Sequence, residues 1–385
     1  LSYKSFRGGI DYLNYFKHEL AKPSSDHTPF ATVIAPCKGL DNGLKENLIA
    51  LLEQDYPEYE VIFVLDDEND PAAEVIKEVM REATSATKLV TASKATVSSQ
   101  KVENLREAVL HADDRSQVFV FVDSDARPSR NWLGSLVAPL ANGKIGATTG
   151  YRWFISPERT FASELRSAWN ASIASALGPN RRSNFCWGGS MAIRRATLEK
   201  LQLRERWQGV LSDDFAVTRA MNQAGLDICF VPQALTASVE SCTFRETVEF
   251  TTRQMKITRV YAPHLWKLSM FGSGLFTSVM LTAFAIAIFS RTNSILVIVA
   301  IMTIALVSFF SIGKSWLRLK AVELVLTQYE KELKLQFLSQ CTFWLITPPL
   351  FFYNTFAALF SRRMLWRGTR YELVSPTETR VIGHD

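Results

Sequence analysis

A chain of 385 residues is long enough for one large domain or two smaller ones, and its 47% hydrophobic content is spread unevenly, with the long apolar runs in the last third. A net charge of +5 fits an anionic partner or surface, but there is no zinc-finger spacing and no aromatic-and-basic RNA-binding pattern, so no nucleic-acid partner is expected and the apolar runs point to a membrane. Cys37, Cys186, Cys229, Cys242 and Cys341 are scattered without a C-x-x-C pair, which suggests neither a disulfide framework nor a zinc site and fits a reducing compartment.

The first residue is Leu1 rather than Met, which leaves room for a signal or anchor segment ahead of it. Residues 1–29 mix basic and aromatic side chains and close on "AKPSSDHTP", a pattern that predicts an amphipathic lead-in helix and a linker. From residue 30 to 244 strands and helices alternate: "ATVIAP", a helix stopped by Pro57, "YEVIFVLDD", a helix at "DPAAEVIKEVMREA", "TKLVTA", a helix at "KVENLREAVLHA", then "QVFVFVDSD". That order predicts an α/β, doubly wound nucleotide-binding fold with a parallel sheet, whose ligands bind at the carboxyl ends of the strands. Residues 151–240 are mixed, with an amphipathic helix, a Gly-containing segment "NFCWGGSMAIRR", a helix after "SDD" and a strand at "DICFVP".

Residues 245–268 combine cations, aromatics and methionine as an interfacial amphipathic helix does. In 269–360 two uncharged runs of about 20 residues each, separated by Arg291-Thr292-Asn293, predict a hairpin of two membrane spans. A basic amphipathic helix is expected over 313–336, and then a third apolar stretch, 337–360, is broken by Pro348-Pro349 and either crosses the bilayer kinked or re-enters. Residues 361–385 form a basic tail. If 337–360 crosses, that tail lies outside, against the positive-inside trend; if it re-enters, the tail returns to the cytoplasm.

In "FVFVDSDARPSRNW" a buried strand ends in two carboxylates. Asp123 and Asp125, two apart and with Cα atoms about 6–7 Å from each other, can face one site. Two carboxylates so close are tolerated most easily around a hard cation, Mg²⁺ or Mn²⁺, that completes its shell with substrate phosphates. By itself Asp-x-Asp is a weak signal, since most occurrences are solvated turns. Asp66-Asp67 also follows a buried strand, where it either contacts a ribose or base or merely opens the next helix. Asp213-Asp214 stands at a helix start, and N-capping accounts for one carboxylate but not both. Gly188-Gly189 lets backbone approach a sugar and Trp187 offers a flat face; a tight turn beside a core Trp explains the same residues. No histidine shows ligand spacing.

In this order the motifs resemble the inverting GT-A-fold glycosyltransferases related to cellulose and hyaluronan synthases, and among them the ceramide glucosyltransferases. "DDENDPA" is similar to the first acidic motif, with Asp67 in the matching place; "SSQKVENL" resembles the Lys-x-x-Asn segment, "DSDA" the metal motif, and "SDDFAV" the Glu-Asp motif, with Asp213 in place of Glu. Asp214 matches the catalytic base, and "WRGTRYEL" looks like the Trp-Arg-x-x-x-Tyr tail. The [Gln/Arg]-x-x-Arg-Trp motif falls within "RQMKITRVY", where Arg253 and Lys256 take the basic positions and Ile257 stands where Trp is expected; the missing Trp speaks against a processive polysaccharide synthase.

The resemblance implies a GT-A domain over 30–244, with C-terminal transmembrane helices. It implies transfer of a hexose, glucose from UDP-glucose, with inversion onto a lipid hydroxyl such as ceramide's. In that scheme Asp123 and Asp125 hold the ion, Lys101, Arg253 and Lys256 face the phosphates, Asp67 and Asp123 contact the nucleotide, and Asp214 takes the acceptor's proton. Trp187, Gly188, Gly189 and Asp213 floor the donor and acceptor. The catalytic domain of such an integral membrane protein faces the cytoplasm. Other acceptors, polyprenyl phosphate, diacylglycerol or a growing glycan, remain as alternatives, as does a non-catalytic nucleotide-binding membrane protein.

Overall fold

The computed structural model describes residues 2–23, 25–290 and 294–384. The chain divides into two compact units. One comprises the chain up to Lys17, Ser156–Ser175 and Ser241–Arg362; the other comprises His18–Ile155, Ala176–Glu240 and the chain from Arg363 onward.

The second unit carries the expected α/β fold. Its strands are β1 (Ala31–Pro36), β2 (Tyr59–Leu65), β3 (Ala86–Thr91), β4 (Val118–Val122), β5 (Ile145–Ile155), β6 (Ser190–Arg194) and β7 (Asp227–Val239), ordered β3-β2-β1-β4-β6-β5-β7 in one seven-stranded sheet. β1 runs parallel to both β2 and β4, with Val33 level with Val61 on one side and Val120 on the other. β2 and β4 are buried along their whole length, which is why they read as continuous apolar runs rather than alternating ones. Helices Leu44–Leu52, Ala72–Glu82 and Gln100–Ala108 supply the connections between the parallel strands. The departure from an all-parallel sheet is β6, which is antiparallel to β4 and β5, whereas β5 and β7 are again parallel. Ser190 pairs with Val122, so the residues just before β6 abut those just after β4.

Residues 363–384 form a sheet of their own: β8 (Arg363–Trp366), β9 (Thr369–Ser375) and β10 (Glu378–His384) make a three-stranded antiparallel meander. Its buried face is Met364, Tyr371 and Leu373, and Tyr371 donates no surface to solvent beyond 1%.

The first unit is helical. Pro263–Phe289 and Ser294–Glu323 are long and apolar enough to cross a membrane, with mean hydropathies of 1.8 and 2.9 over the spanning window. The turn expected at Arg291-Thr292-Asn293 lies outside the described residues. The third stretch is a pair of helical segments, Thr327–Leu345 and Thr347–Phe360, bent by 59° at their junction, with Pro348 and Pro349 in the first turn of the second segment, where proline is tolerated. The amphipathic helix expected over 313–336 begins differently: the helix containing Gly313 is continuous from Ser294 to Glu323, and helix resumes only after Leu326. Gly313 does not break it because it serves close packing, since a Cβ there would lie 2.6 Å from the ring of Phe6 on the leading helix Ser2–Leu20. Trp169 of helix Phe161–Ala174 stacks on Phe351 at 4.5 Å and 13°. The stretch 245–268, expected as one interfacial helix, divides at Ala262 between helix Phe244–Tyr261, which starts with a full capping box between Thr243 and Glu246, and the first turns of Pro263–Phe289.

Candidate active site

Because β1, β2 and β4 are parallel, their carboxyl ends share one edge of the sheet, and the acidic clusters after β2 and β4 fall there. β4 ends at Val122, and the following turn is held from several sides. Asn47 donates to the Ser124 carbonyl at 3.0 Å, the Ser124 hydroxyl donates to Asp41 at 2.8 Å, and Arg127 exchanges backbone hydrogen bonds with Ala237. The turn therefore presents Asp123 and Asp125 from a fixed backbone.

Their carboxylates are matched by two cations. The ammonium of Lys101 lies 2.7 Å from Asp123 Oδ1 and 3.3 Å from Asp213 Oδ1, so it joins the strand-end acid to the helix-start acid. The guanidinium of Arg152, on β5, reaches Asp125 Oδ2 at 3.1 Å and Asp123 Oδ2 at 3.5 Å, spanning the pair. Lys101 reaches this place because Ser99 caps helix Gln100–Ala108 by accepting from Val102 N, while Ser99 N donates to the Val210 carbonyl three residues ahead of Asp213. Burial disfavours the Lys101 charge, yet Asp123 first, then Asp213 and Asp214, hold it protonated well above the ordinary lysine range. Burial pushes Asp213 up to about 6, Asp214 and Asp123 adding to the rise and Lys101 opposing it. Asp123 goes the other way: despite burial, Lys101 and then Arg152 hold its carboxyl below the usual range.

Asp214 follows in the first turn of helix Asp213–Gln223. It is half-buried; Oδ1 accepts from Phe215 N at 2.7 Å and from the Ser212 hydroxyl, and Oδ2 accepts from Gly188 N at 3.3 Å. Gly188 and Gly189 are required for space rather than for backbone angle. A Cβ at Gly188 would sit 2.8 Å from Lys101 Nζ and one at Gly189 would sit 2.6 Å from Asp123 Oδ2, as the β4–β6 register dictates. Trp187 is buried, with Arg152 4.8 Å above its ring and Tyr151 5.4 Å away.

The structure thus brings Lys101, Asp123, Asp125, Trp187, Gly188, Gly189, Asp213 and Asp214 together. Asp67 stands on the same edge, two strands from β4, but its bonds are to Asn69 and, at 3.4 Å, to Lys94; hydrogen bonding from the Asn69 amide chiefly holds its carboxyl low. Arg253 and Lys256 belong to the helical unit, on Phe244–Tyr261, where Arg253 lies 5.6 Å over the Phe250 ring and burial lowers Lys256; their assignment to the phosphates rests on the motif. One residue of this cluster escaped the sequence reading, Arg152. A cation inside the apolar run "TTGYRWFI" was the available signal for Arg152.

Asp123 and Asp125 suit a hard divalent ion. Asp125 Oδ1 is buried and finds no hydrogen-bond partner among the described residues, and an unpaired buried carboxylate oxygen is costly unless something cationic meets it. Among the described residues no group of three or more His, Cys, Asp or Glu side chains is placed to hold an ion by itself, so a bound ion would draw further oxygens from a substrate.

The family description "Glycosyl transferase family 21" matches residues 9–379. Among characterised proteins, ceramide glucosyltransferase 3 of Caenorhabditis elegans is 33% identical over 72 residues, 19% of this chain and 16% of that one. A ceramide glucosyltransferase of Komagataella phaffii is 27% identical over 77 residues, 20% and 15% of the two chains, so the match spans under a fifth of either relative. Among solved structures, the mannosyltransferase PcManGT from Pyrobaculum calidifontis, in complex with GDP-Man and Mn²⁺, aligns with 92% of this chain and 96% of its own at 18% identity and a TM-score of 0.48. GalNAc-T7 with UDP, GalNAc and Mn²⁺ aligns with 57% and 45% at 14% identity and 0.44.

Proposed function

The chain belongs to glycosyl transferase family 21, and from that membership we propose that it moves glucose from UDP-glucose, with inversion, onto the hydroxyl of a ceramide-like lipid. The observation that carries the reading is the Lys101 bridge between Asp123 and Asp213, which gathers the strand-end and helix-start acids at one edge of a nucleotide-type sheet. The ceramide glucosyltransferase relatives support the choice of sugar and acceptor.

Asp214 is the general base in this scheme. Its carboxylate is fixed by the Phe215 amide and the Ser212 hydroxyl, and it takes the acceptor's hydroxyl proton as that oxygen attacks the anomeric carbon from the face opposite the diphosphate. Lys101 and Arg152 hold positive charge beside the leaving group, and Asp67 is assigned to the nucleotide. Asp123 and Asp125 would hold Mg²⁺ or Mn²⁺, which neutralises charge on a departing diphosphate. Gly188 and Gly189 keep the floor open to a sugar. The two apolar helices support a membrane setting in which a lipid acceptor is at hand, and we place the catalytic unit on the cytoplasmic side, where nucleotide sugars are made; the five cysteines, all unpaired and buried, accord with a reducing compartment.

The reading is tested by incubating the purified chain with radiolabelled UDP-glucose, UDP-galactose or GDP-mannose and with ceramide, diacylglycerol or polyprenyl phosphate. Label passing from UDP-glucose to ceramide with inverted anomeric configuration is expected. Label on another lipid, or from another donor, replaces the specificity; no transfer in any pairing contradicts the function.

A further inference from the structure

The Trp-Arg-x-x-x-Tyr segment has no part in the chemistry so far, yet the fold delivers it to the acid cluster. We infer that Arg367, at the tip of the β8–β9 hairpin, is a donor-binding residue that contacts the diphosphate; the inference rests on the glycosyltransferase reading and extends it. Three contacts, independent of one another, seat the hairpin within the α/β unit. Arg367 Nη1 lies 2.5 Å from Asp41 Oδ1 and donates to the Lys38 carbonyl at 3.2 Å, both in the loop after β1. The Tyr371 hydroxyl accepts from Gln100 N at 3.1 Å, one residue before Lys101. Gly209, at φ 83°, lies against the Thr377 carbonyl, close to the segment that leads to Asp213.

Asp41 connects this hairpin to the metal motif, because its other oxygen accepts from Ser124, between Asp123 and Asp125. Burial disfavours the Arg367 charge, yet Asp41, and after it Asp125 and Asp123, keep the guanidinium protonated. Among the described residues only Nη1 is engaged and the rest of the guanidinium meets no hydrogen-bond acceptor, and the side chain keeps 39% of its surface exposed. A side chain used purely as a latch would gain most from a bidentate grip on Asp41. The backbone at Arg367 is also left-handed, φ 50°, followed by Gly368 at 74°. A two-residue hairpin turn of this kind favours Asn or Asp before Gly, and a β-carbon-bearing Arg held there is the sort of local strain that accompanies function. Lys101 and Arg152 pair directly with Asp123 and Asp125, and Arg367 reaches the same turn through Asp41 and Ser124, so three cations from separate elements converge on the metal motif.

The experiment is nucleotide binding by the full chain in detergent, measured by calorimetry with UDP and with UMP in the presence of Mn²⁺. R367A is expected to weaken UDP about tenfold, the scale of one charge-assisted hydrogen bond, and to leave UMP nearly unchanged. D41N serves as the second variant: its amide oxygen can still accept from the Ser124 hydroxyl, so the turn stays held, while the ion pair is released and the guanidinium kept, and UDP binding is expected to hold or tighten. Equal UDP affinity in R367A and the unaltered chain overturns the inference, and so does D41N weakening UDP as much as R367A does, which would make the ion pair a latch. If the unaltered chain binds neither UDP nor any other nucleoside diphosphate, the glycosyltransferase reading fails and this one with it.

Discussion

Replacing Asp214 by Asn is expected to lower kcat by about a thousandfold while UDP affinity stays within a few-fold of the unaltered chain, since a positioned general base contributes roughly 10²–10⁴. The amide keeps the shape of the carboxylate and leaves Oδ1 accepting from Phe215 N and Ser212. What changes is Oδ2: as an amide nitrogen it can neither take a proton from an acceptor hydroxyl nor accept from Gly188 N, whose present bond is long at 3.3 Å. The structural penalty is therefore one weak hydrogen bond, and the folded chain should survive. Single-turnover transfer with preloaded donor separates the chemical step from binding. Normal turnover by D214N would move the base assignment elsewhere, with Asp213, the neighbouring carboxylate whose pKa is raised to about 6, the next residue to test.

Lys101→Met is expected to have the largest effect on stability. The ammonium is mostly buried, its side chain 15% exposed, and it is the common partner of Asp123 and Asp213, themselves 20% and 3% exposed. Removing one member of a buried ionic set strands the charges left behind, at a cost of about 3 kcal/mol after allowing for the residual exposure. Asp123 retains Arg152; among the described residues Asp213 retains no cation within ion-pair distance, and its Oδ2 already lacks a hydrogen-bond partner. For a unit of this size such a loss lowers the melting temperature by roughly 6–12 °C, followed by tryptophan fluorescence through the buried Trp207, whose indole donates to the Asp213 carbonyl. K101R, which keeps the charge, should recover part of it. A K101M chain that melts with the unaltered one would mean that the three side chains do not depend on one another.

Much of this arrangement was legible because it is local. The continuous apolar runs of β1, β2 and β4 announce buried parallel strands, and the acidic turns that close β2 and β4 announce carboxylates at one edge of the sheet. Partner choice across long separations was not legible. Arg367 and Asp41 stand 326 positions apart, and nothing near either one specifies the other. Arg152 lies within an aromatic strand, where its charge is intelligible only once Asp123 and Asp125 are seen beside it. The direction of β6 was hidden for a related reason, since "SMAIR" is apolar whichever way it runs, and only its pairing with β4 sets Gly189 against Asp123. The terminal residues read as a basic tail because arginines dominate their composition, yet Met364, Tyr371 and Leu373 are enough to bury one face of a three-stranded sheet. Gly313 misled the other way: as a sequence signal it separates helices, whereas in the fold it makes room for Phe6.

The central claim is that the edge of the sheet around Asp123, Asp125 and Lys101 receives the diphosphate of a nucleotide sugar. A structure of the full chain in lipid nanodiscs with UDP and Mn²⁺ tests it most directly. The ion is expected against Asp125 and the diphosphate beside Lys101, with the uridine extending toward Asp67; UDP bound away from that edge, or an ion held by residues other than Asp123 and Asp125, would overturn the assignment.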